Sequence, residues 1–116
     1  RPAVLSEKGA PPAVTSVSNP AKLALAEHLS SIGARMYSAY WCPHCHEQKE
    51  LFGQDAAAKL DVIECATDGK NSQATLCQSK AIEGFPSWEI NGQIDSGVKS
   101  LQKLADLSGY QGPRNF

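Results

Sequence analysis

The stretch Arg35-Met36-Tyr37-Ser38-Ala39-Tyr40-Trp41-Cys42-Pro43-His44-Cys45-His46-Glu47-Gln48-Lys49-Glu50-Leu51-Phe52-Gly53 decides the fold. Residues 35–40 read as a strand. A Cys-x-x-Cys follows at once, and a charged helical stretch runs on to about Phe52. Cys42 therefore falls where a helix begins. Unpaired backbone N–H groups and the helix dipole favour negative charge there, so the position favours a thiolate, the nucleophilic form of cysteine. Pro43 suits the first helical position, since it has no N–H to leave unpaired. His44 is expected to add stabilisation to the thiolate. Cys45 lies one turn further on the same side, more buried and close enough to close a disulfide with Cys42. These placements make Cys42 the attacking cysteine and Cys45 the resolving one. A strongly stabilised thiolate favours the reduced pair, which makes the disulfide the better oxidant.

The flanking segments give the architecture. Asn19-Pro20 reads as a helix start, with Leu23, Ala26, Leu29 and Ile32 on one apolar face and Gly33 as the stop. Residues 60–65 form a second strand, and residues 72–81 a helix. Ser87-Trp88-Glu89-Ile90 is a third strand. Asn91-Gly92 is a hairpin turn, so Gln93-Ile94-Asp95 pairs back antiparallel. Residues 99–108 form the last helix, with Leu101, Leu104 and Leu107 inward and Gly109 ending it. Strands joined through helices pair in parallel. The expected class is α/β, a small mixed sheet flanked by helices, over residues 20–112. Residues 1–19 read as a flexible linker, because four of the seven prolines fall there or at Pro20 and apolar periodicity is absent. Residues 113–116 read as a tail.

Composition excludes several classes of function. The chain has 116 residues, 41% of them apolar and 20% charged, with net charge −1. Lysine and arginine are scattered, which argues against nucleic acid as a partner. No apolar run approaches the roughly 20 residues that span a bilayer. With no initiator Met and no signal-peptide pattern, the chain reads as a mature or excised fragment.

Two further features bear on the chemistry. In Gly84-Phe85-Pro86-Ser87 a cis Phe85-Pro86 bond is expected. It would set Pro86 against the cysteines and leave the Phe85 backbone free for an extended substrate. Trp41 and Tyr40 could form an apolar docking lip, with one of them in the core. Cys65 ends a strand and Cys77 lies in the next helix. That pair reads as a structural disulfide, or alternatively as an electron relay, and implies an oxidising compartment. Trp88 reads as core, and His28 and His46 as solvated. Two competing readings of the cysteines are a zinc site on all four sulfurs and a c-type haem attachment at Cys42-x-x-Cys45-His46. Neither pattern fits well, since Cys65 and Cys77 lack knuckle spacing and Met36 lies upstream in a strand.

The strand into Trp41-Cys42-Pro43-His44-Cys45, followed by Gly84-Phe85-Pro86-Ser87-Trp88-Glu89-Ile90-Asn91-Gly92, resembles the thioredoxin fold. Ala39 to Cys45, with Gln48 to Gly53, Glu64-Cys65, Cys77 and Gly97-Val98-x-Ser100-Leu101, is similar to the soluble thioredoxin-like domain of plant and cyanobacterial vitamin K epoxide reductase homologues. The resemblance implies a thiol-disulfide oxidoreductase. Cys42, Pro43, His44 and Cys45 would form its catalytic centre, and Trp41, Phe85 and Pro86 would bind substrate. It also implies an electron route. Substrate proteins with thiols reduce Cys42–Cys45, and the electrons pass to a membrane four-helix redox domain of the same parent chain and on to a quinone. The domain itself would need no cofactor and no metal. The location implied is the chloroplast thylakoid membrane with this domain in the lumen, or alternatively the bacterial periplasm. A disulfide reductase or isomerase, or a non-catalytic metal or haem module, are the other readings. Ordinary thioredoxins carry a buried acid where Met36 stands, so the acceptor of the Cys45 proton is open, with Glu47, His44 or water as candidates.

Overall fold

A computed structural model of the chain describes residues 9–116; residues 1–8 of the expected linker lie outside the described residues. The elements in order are α1 (Pro20–Ser31), β1 (Arg35–Ser38), α2 (Pro43–Phe52), α3 (Gln54–Ala57), β2 (Asp61–Glu64), α4 (Ala74–Ser79), β3 (Ser87–Ile90), β4 (Gln93–Ser96) and α5 (Leu101–Ser108). Asn19 caps α1 by accepting the Lys22 N–H at 2.9 Å. Ser100 caps α5 by accepting the Lys103 N–H at 3.1 Å, and Gly109 ends it in the left-handed conformation. The buried side of α1 is Ala21, Leu25, Ala26 and Leu29, while Leu23 and Ile32 are only half-buried. The apolar stripe is thus rotated from the expected one, because the sheet selects the i, i+4 row. In α5, Leu101 and Leu104 are buried but Leu107 stays 40% exposed, against the expectation of three inward leucines. One turn, α3, is too short to show a period in sequence.

The four strands pair in the order β2-β1-β3-β4. β1 and β2 are parallel, joined through α2. β3 is antiparallel to β1, although a helix precedes it, so the parallel expectation holds for the first crossover alone. β4 returns along β3 through Asn91 and Gly92, both at positive φ as the tight hairpin requires.

Alternation along the strands sorts the core onto two faces. Met36, Val62, Trp88 and Ile90 pack with α1, α2, α3 and α5 in the larger cluster. Tyr37 and Ile63 pack with Cys77 of α4 in the smaller one. This is the expected sheet flanked by helices, compatible with a thioredoxin-like fold. Cys65 and Cys77 are disulfide-bonded, 12 positions apart in sequence, and so staple β2 to α4.

Residues 9–18 are packed, which departs from the expectation of a flexible linker. The Thr15 and Ser16 amides donate to the Glu50 carboxylate at 3.1 and 2.9 Å. The Ser16 carbonyl accepts the Gln54 N–H at 2.9 Å, and Ser18 Oγ donates to the Phe52 carbonyl at 2.8 Å. Gly53, at φ 89°, lets this strap approach, since a Cβ there would lie 2.5 Å from the Ser18 nitrogen. Hydrogen bonding from the Ser16 side chain and the Thr15 and Ser16 amides holds the Glu50 carboxyl at about 2. The expected tail also packs. Tyr110 Oη donates to the Pro113 carbonyl at 3.0 Å, and Arg114 pairs with Asp106 at 2.6 Å. Polar anchors of this kind leave no hydrophobic period to read. His28, expected at the surface, is half-buried with Nε2 2.8 Å from the Ser108 carbonyl, joining α1 to α5.

Gln48 is a fully buried polar residue of α2. Its Oε1 accepts from Trp88 Nε1 at 3.1 Å and from the Lys99 N–H at 2.8 Å, and its Nε2 donates to the Lys99 carbonyl at 2.9 Å. Gln48→Leu strands three buried polar groups and should lower stability by about 3 kcal/mol, read as a reduced urea midpoint. Replacing Cys65 and Cys77 together by serine reopens the stapled loop. It should cost about 3 kcal/mol in the same assay.

Candidate active site

β1 ends at Ser38 and the chain turns once before α2. The Cys42 N–H donates to the Ala39 carbonyl at 3.0 Å, which closes that turn. Cys42 is the N-cap of α2, and its Sγ accepts the Cys45 N–H at 3.2 Å. A backbone donor on sulfur at a helix start is the arrangement that stabilises a thiolate. Pro43 occupies the first helical position, as expected. Cys42 and Cys45 are both free thiols. Cys42 keeps 6% of its surface and Cys45 2%, which matches the expected order of access.

The Phe85-Pro86 bond is cis. The Phe85 carbonyl faces Cys42 and accepts its thiol at 3.8 Å. Trp41 is 59% exposed and meets Phe85 edge-on at 5.9 Å between ring centroids. An aromatic pair thus borders the sulfur. Pro86 is fully buried, and its carbonyl accepts the Gly97 N–H at 2.8 Å. Phe85, not the proline ring, therefore forms the accessible part of this loop. Tyr40 is half-buried with its hydroxyl on Asp68 at 2.9 Å, so neither Trp41 nor Tyr40 belongs to the core.

His44 sits differently from the sequence reading. It is exposed, and its Nδ1 lies 3.4 Å from Glu47 Oε1 rather than on the Cys42 sulfur. The histidine and glutamate considered for the Cys45 proton thus face solvent together. His46 is half-buried instead of solvated, with Nε2 3.0 Å from Glu50 Oε2.

Little in the local pattern marks the surroundings of Cys45. Burial pushes its thiol up to about 11, helped by hydrogen bonding with Cys42 and opposed by the Ser38 hydroxyl and the Ala39 backbone. Ser38 is itself buried, at the end of β1. Lys49 follows Cys45 by one helical turn and is half-buried. Burial lowers its pKa, and the charges of Cys45 and Glu64 oppose that shift. Glu64 ends β2, and its Oε2 accepts the Tyr40 and Ala66 amides, each at 3.1 Å. Only the i, i+4 spacing of Cys45 and Lys49 was visible beforehand.

The disulfide between Cys65 and Cys77 removes two of the four sulfurs that a shared zinc site would need. It lies in the cluster on the opposite face of the sheet from Cys42 and Cys45, a position that suits a staple. Among the described residues no three His, Cys, Asp or Glu side chains converge as metal ligands, and no helix is long and apolar enough to cross a membrane.

No protein-family model matches the chain. It is 48% identical over 100 residues to thiol-disulfide oxidoreductase LTO1 of Arabidopsis thaliana, covering 84% of this chain and 27% of that protein. The chain thus spans about a quarter of the length of this relative. The similarity supports a thiol oxidoreductase domain.

The raised Cys45 thiol sets an order of reaction. Its thiolate fraction falls tenfold for each pH unit below about 11. Iodoacetamide at about pH 8 should therefore label Cys42 well before Cys45. Labelling of Cys45 should grow as pH approaches about 11, read by peptide mass mapping.

Proposed function

From a thiol-disulfide oxidoreductase as relative and the geometry at Cys42, we propose that this domain exchanges disulfides with substrate proteins and runs in the oxidising direction. The carrying observation is the Cys42 sulfur on the Cys45 N–H at 3.2 Å at the start of α2. That contact favours the thiolate of Cys42 and so the reduced pair, which makes the Cys42–Cys45 disulfide an acceptor of electrons.

The steps balance as follows. A substrate thiolate attacks Cys42 Sγ, the Cys42–Cys45 bond breaks, and Cys45 leaves with the electron pair and takes up a proton. The substrate's second thiolate then attacks its own sulfur in the mixed disulfide. Substrate leaves oxidised by two electrons, and Cys42 leaves as the thiolate that the helix start stabilises. Trp41 and Phe85 border the sulfur and would receive the flanking apolar residues of an extended substrate.

Reoxidation needs an acceptor outside the domain. We assign that role to a membrane four-helix partner of the same parent chain that reduces a quinone, with this domain facing the thylakoid lumen. The support is the resemblance to the vitamin K epoxide reductase homologues, together with the plant relative of which this chain covers 27%. The implied quinone would sit in that partner.

Oxidation of a reduced peptide dithiol by the purified disulfide form tests the chemistry. Cys42→Ser should abolish turnover. Cys45→Ser cannot form the disulfide and should not oxidise the dithiol either; offered the oxidised peptide instead, its Cys42 thiolate should attack and stop at a mixed disulfide, visible as a mass adduct. Turnover retained without Cys42 would remove this mechanism.

A further inference from the structure

The proton of Cys45 has no acid or base assigned to it. Met36 is fully buried where a carboxylate could have served, and the Glu47 and His44 pair faces solvent. One ionisable group does sit along the Cys45 side of α2. Lys49 lies one turn further on, where i and i+4 side chains neighbour each other. It is half-buried and interacts electrostatically with both Cys45 and Glu64. It also lines a cavity of about 730 Å³ between the strap, α2, α3 and β2, with Pro12, Val14, Gln54, Leu60 and Val62 among the other walls. The cavity is open, so water reaches the Lys49 side chain there.

We propose that Lys49 is the proton donor and acceptor for Cys45, exchanging its own proton with water in this cavity while Glu64 steadies its charged form. The inference rests on the exchange chemistry above. When a substrate thiolate attacks Cys42, the departing Cys45 thiolate takes a proton from the Lys49 ammonium. The neutral amine then regains a proton from cavity water. On reoxidation the ammonium first releases a proton to cavity water, and the neutral amine then takes the proton from the Cys45 thiol, freeing the thiolate to close the bond.

Burial supports the direction of transfer. It makes the ammonium a stronger acid and the thiol a weaker one. Cys45 faces Lys49 from α2 and Glu64 from the end of β2. Asp61 of β2 shares the cavity wall but lies 3.7 Å from Arg35. The strap and α3 line the cavity with proline, alanine, valine and glutamine, none of which titrates.

Two variants test this. Lys49→Met keeps the packed stem without a proton to give, and Lys49→Arg keeps the charge but holds its proton too tightly to exchange it. Reduction of the Cys42–Cys45 disulfide by dithiothreitol is followed from about pH 6 to about pH 9. Both variants should be slower at about pH 7, by about tenfold or more. Added methylamine should restore part of the Lys49→Met rate through the cavity. Unchanged rates in Lys49→Met, or full recovery in Lys49→Arg, would overturn the assignment. A readout independent of exchange is the NMR titration of the Cys45 β-carbon in the reduced protein. Its midpoint should rise in Lys49→Met, and an unmoved midpoint overturns the proposal. A wild-type disulfide inert to dithiothreitol would instead remove the oxidoreductase reading, with the titration still deciding whether Lys49 and Cys45 share a proton.

Discussion

A backbone amide held 3.2 Å from a sulfur organises this domain. For the Cys45 N–H to reach Cys42, α2 must start at Pro43 and the preceding turn must close on Ala39. That in turn requires β1 to end at Ser38, where its parallel partner β2 also ends at Glu64. The strand lengths, the turn and the helix cap therefore form one constraint. Its outcome is that the Cys42 sulfur meets a backbone N–H held in place by the fold.

The two cysteines diverge because they meet different surroundings within one helical turn. Cys42 has the helix start and the aromatic border of Trp41 and Phe85. Cys45 faces the interior, where burial disfavours its charged form. In the proposed exchange this separates the attacked sulfur from the leaving one, and it makes the proton of the inner thiol a chemical problem in its own right. In the proposal above, Lys49 at the strap cavity answers that problem, with Glu64 acting on it electrostatically. The strap belongs to the same solution, since Glu50 anchors it through Thr15 and Ser16 over one wall of the cavity.

Much of the architecture was legible because it rests on local chemistry. Asn19-Pro20, Asn91-Gly92 and Gly109 each impose a backbone geometry that few other residues allow. Cys42-Pro43-His44-Cys45 announced its own helix start, and the Cys65–Cys77 pairing followed from strand-helix order. Features that depend on distant partners were not legible. The strap is held by hydrogen bonds to Glu50, Phe52 and Gln54, and nothing in a proline-rich stretch encodes those partners. Gln48 stands in a charged helical stretch with nothing local to mark it as buried, and Trp88 and Lys99 converge on it from distant segments. His44 adjoins the thiol in sequence, yet the helix turns its ring toward Glu47. The direction of β3 was likewise set by pairing across the sheet, which no single segment records.

The central claim is that Cys42 and Cys45 form the exchanging pair, poised as an oxidant, while Cys65 and Cys77 remain joined. Equilibrating the protein across a series of glutathione redox buffers, then mapping each thiol by differential alkylation, measures this directly. The account predicts one two-electron transition, confined to Cys42 and Cys45, at about −120 to −180 mV. A transition near thioredoxin's about −270 mV, or one that opens Cys65–Cys77 first, would contradict it.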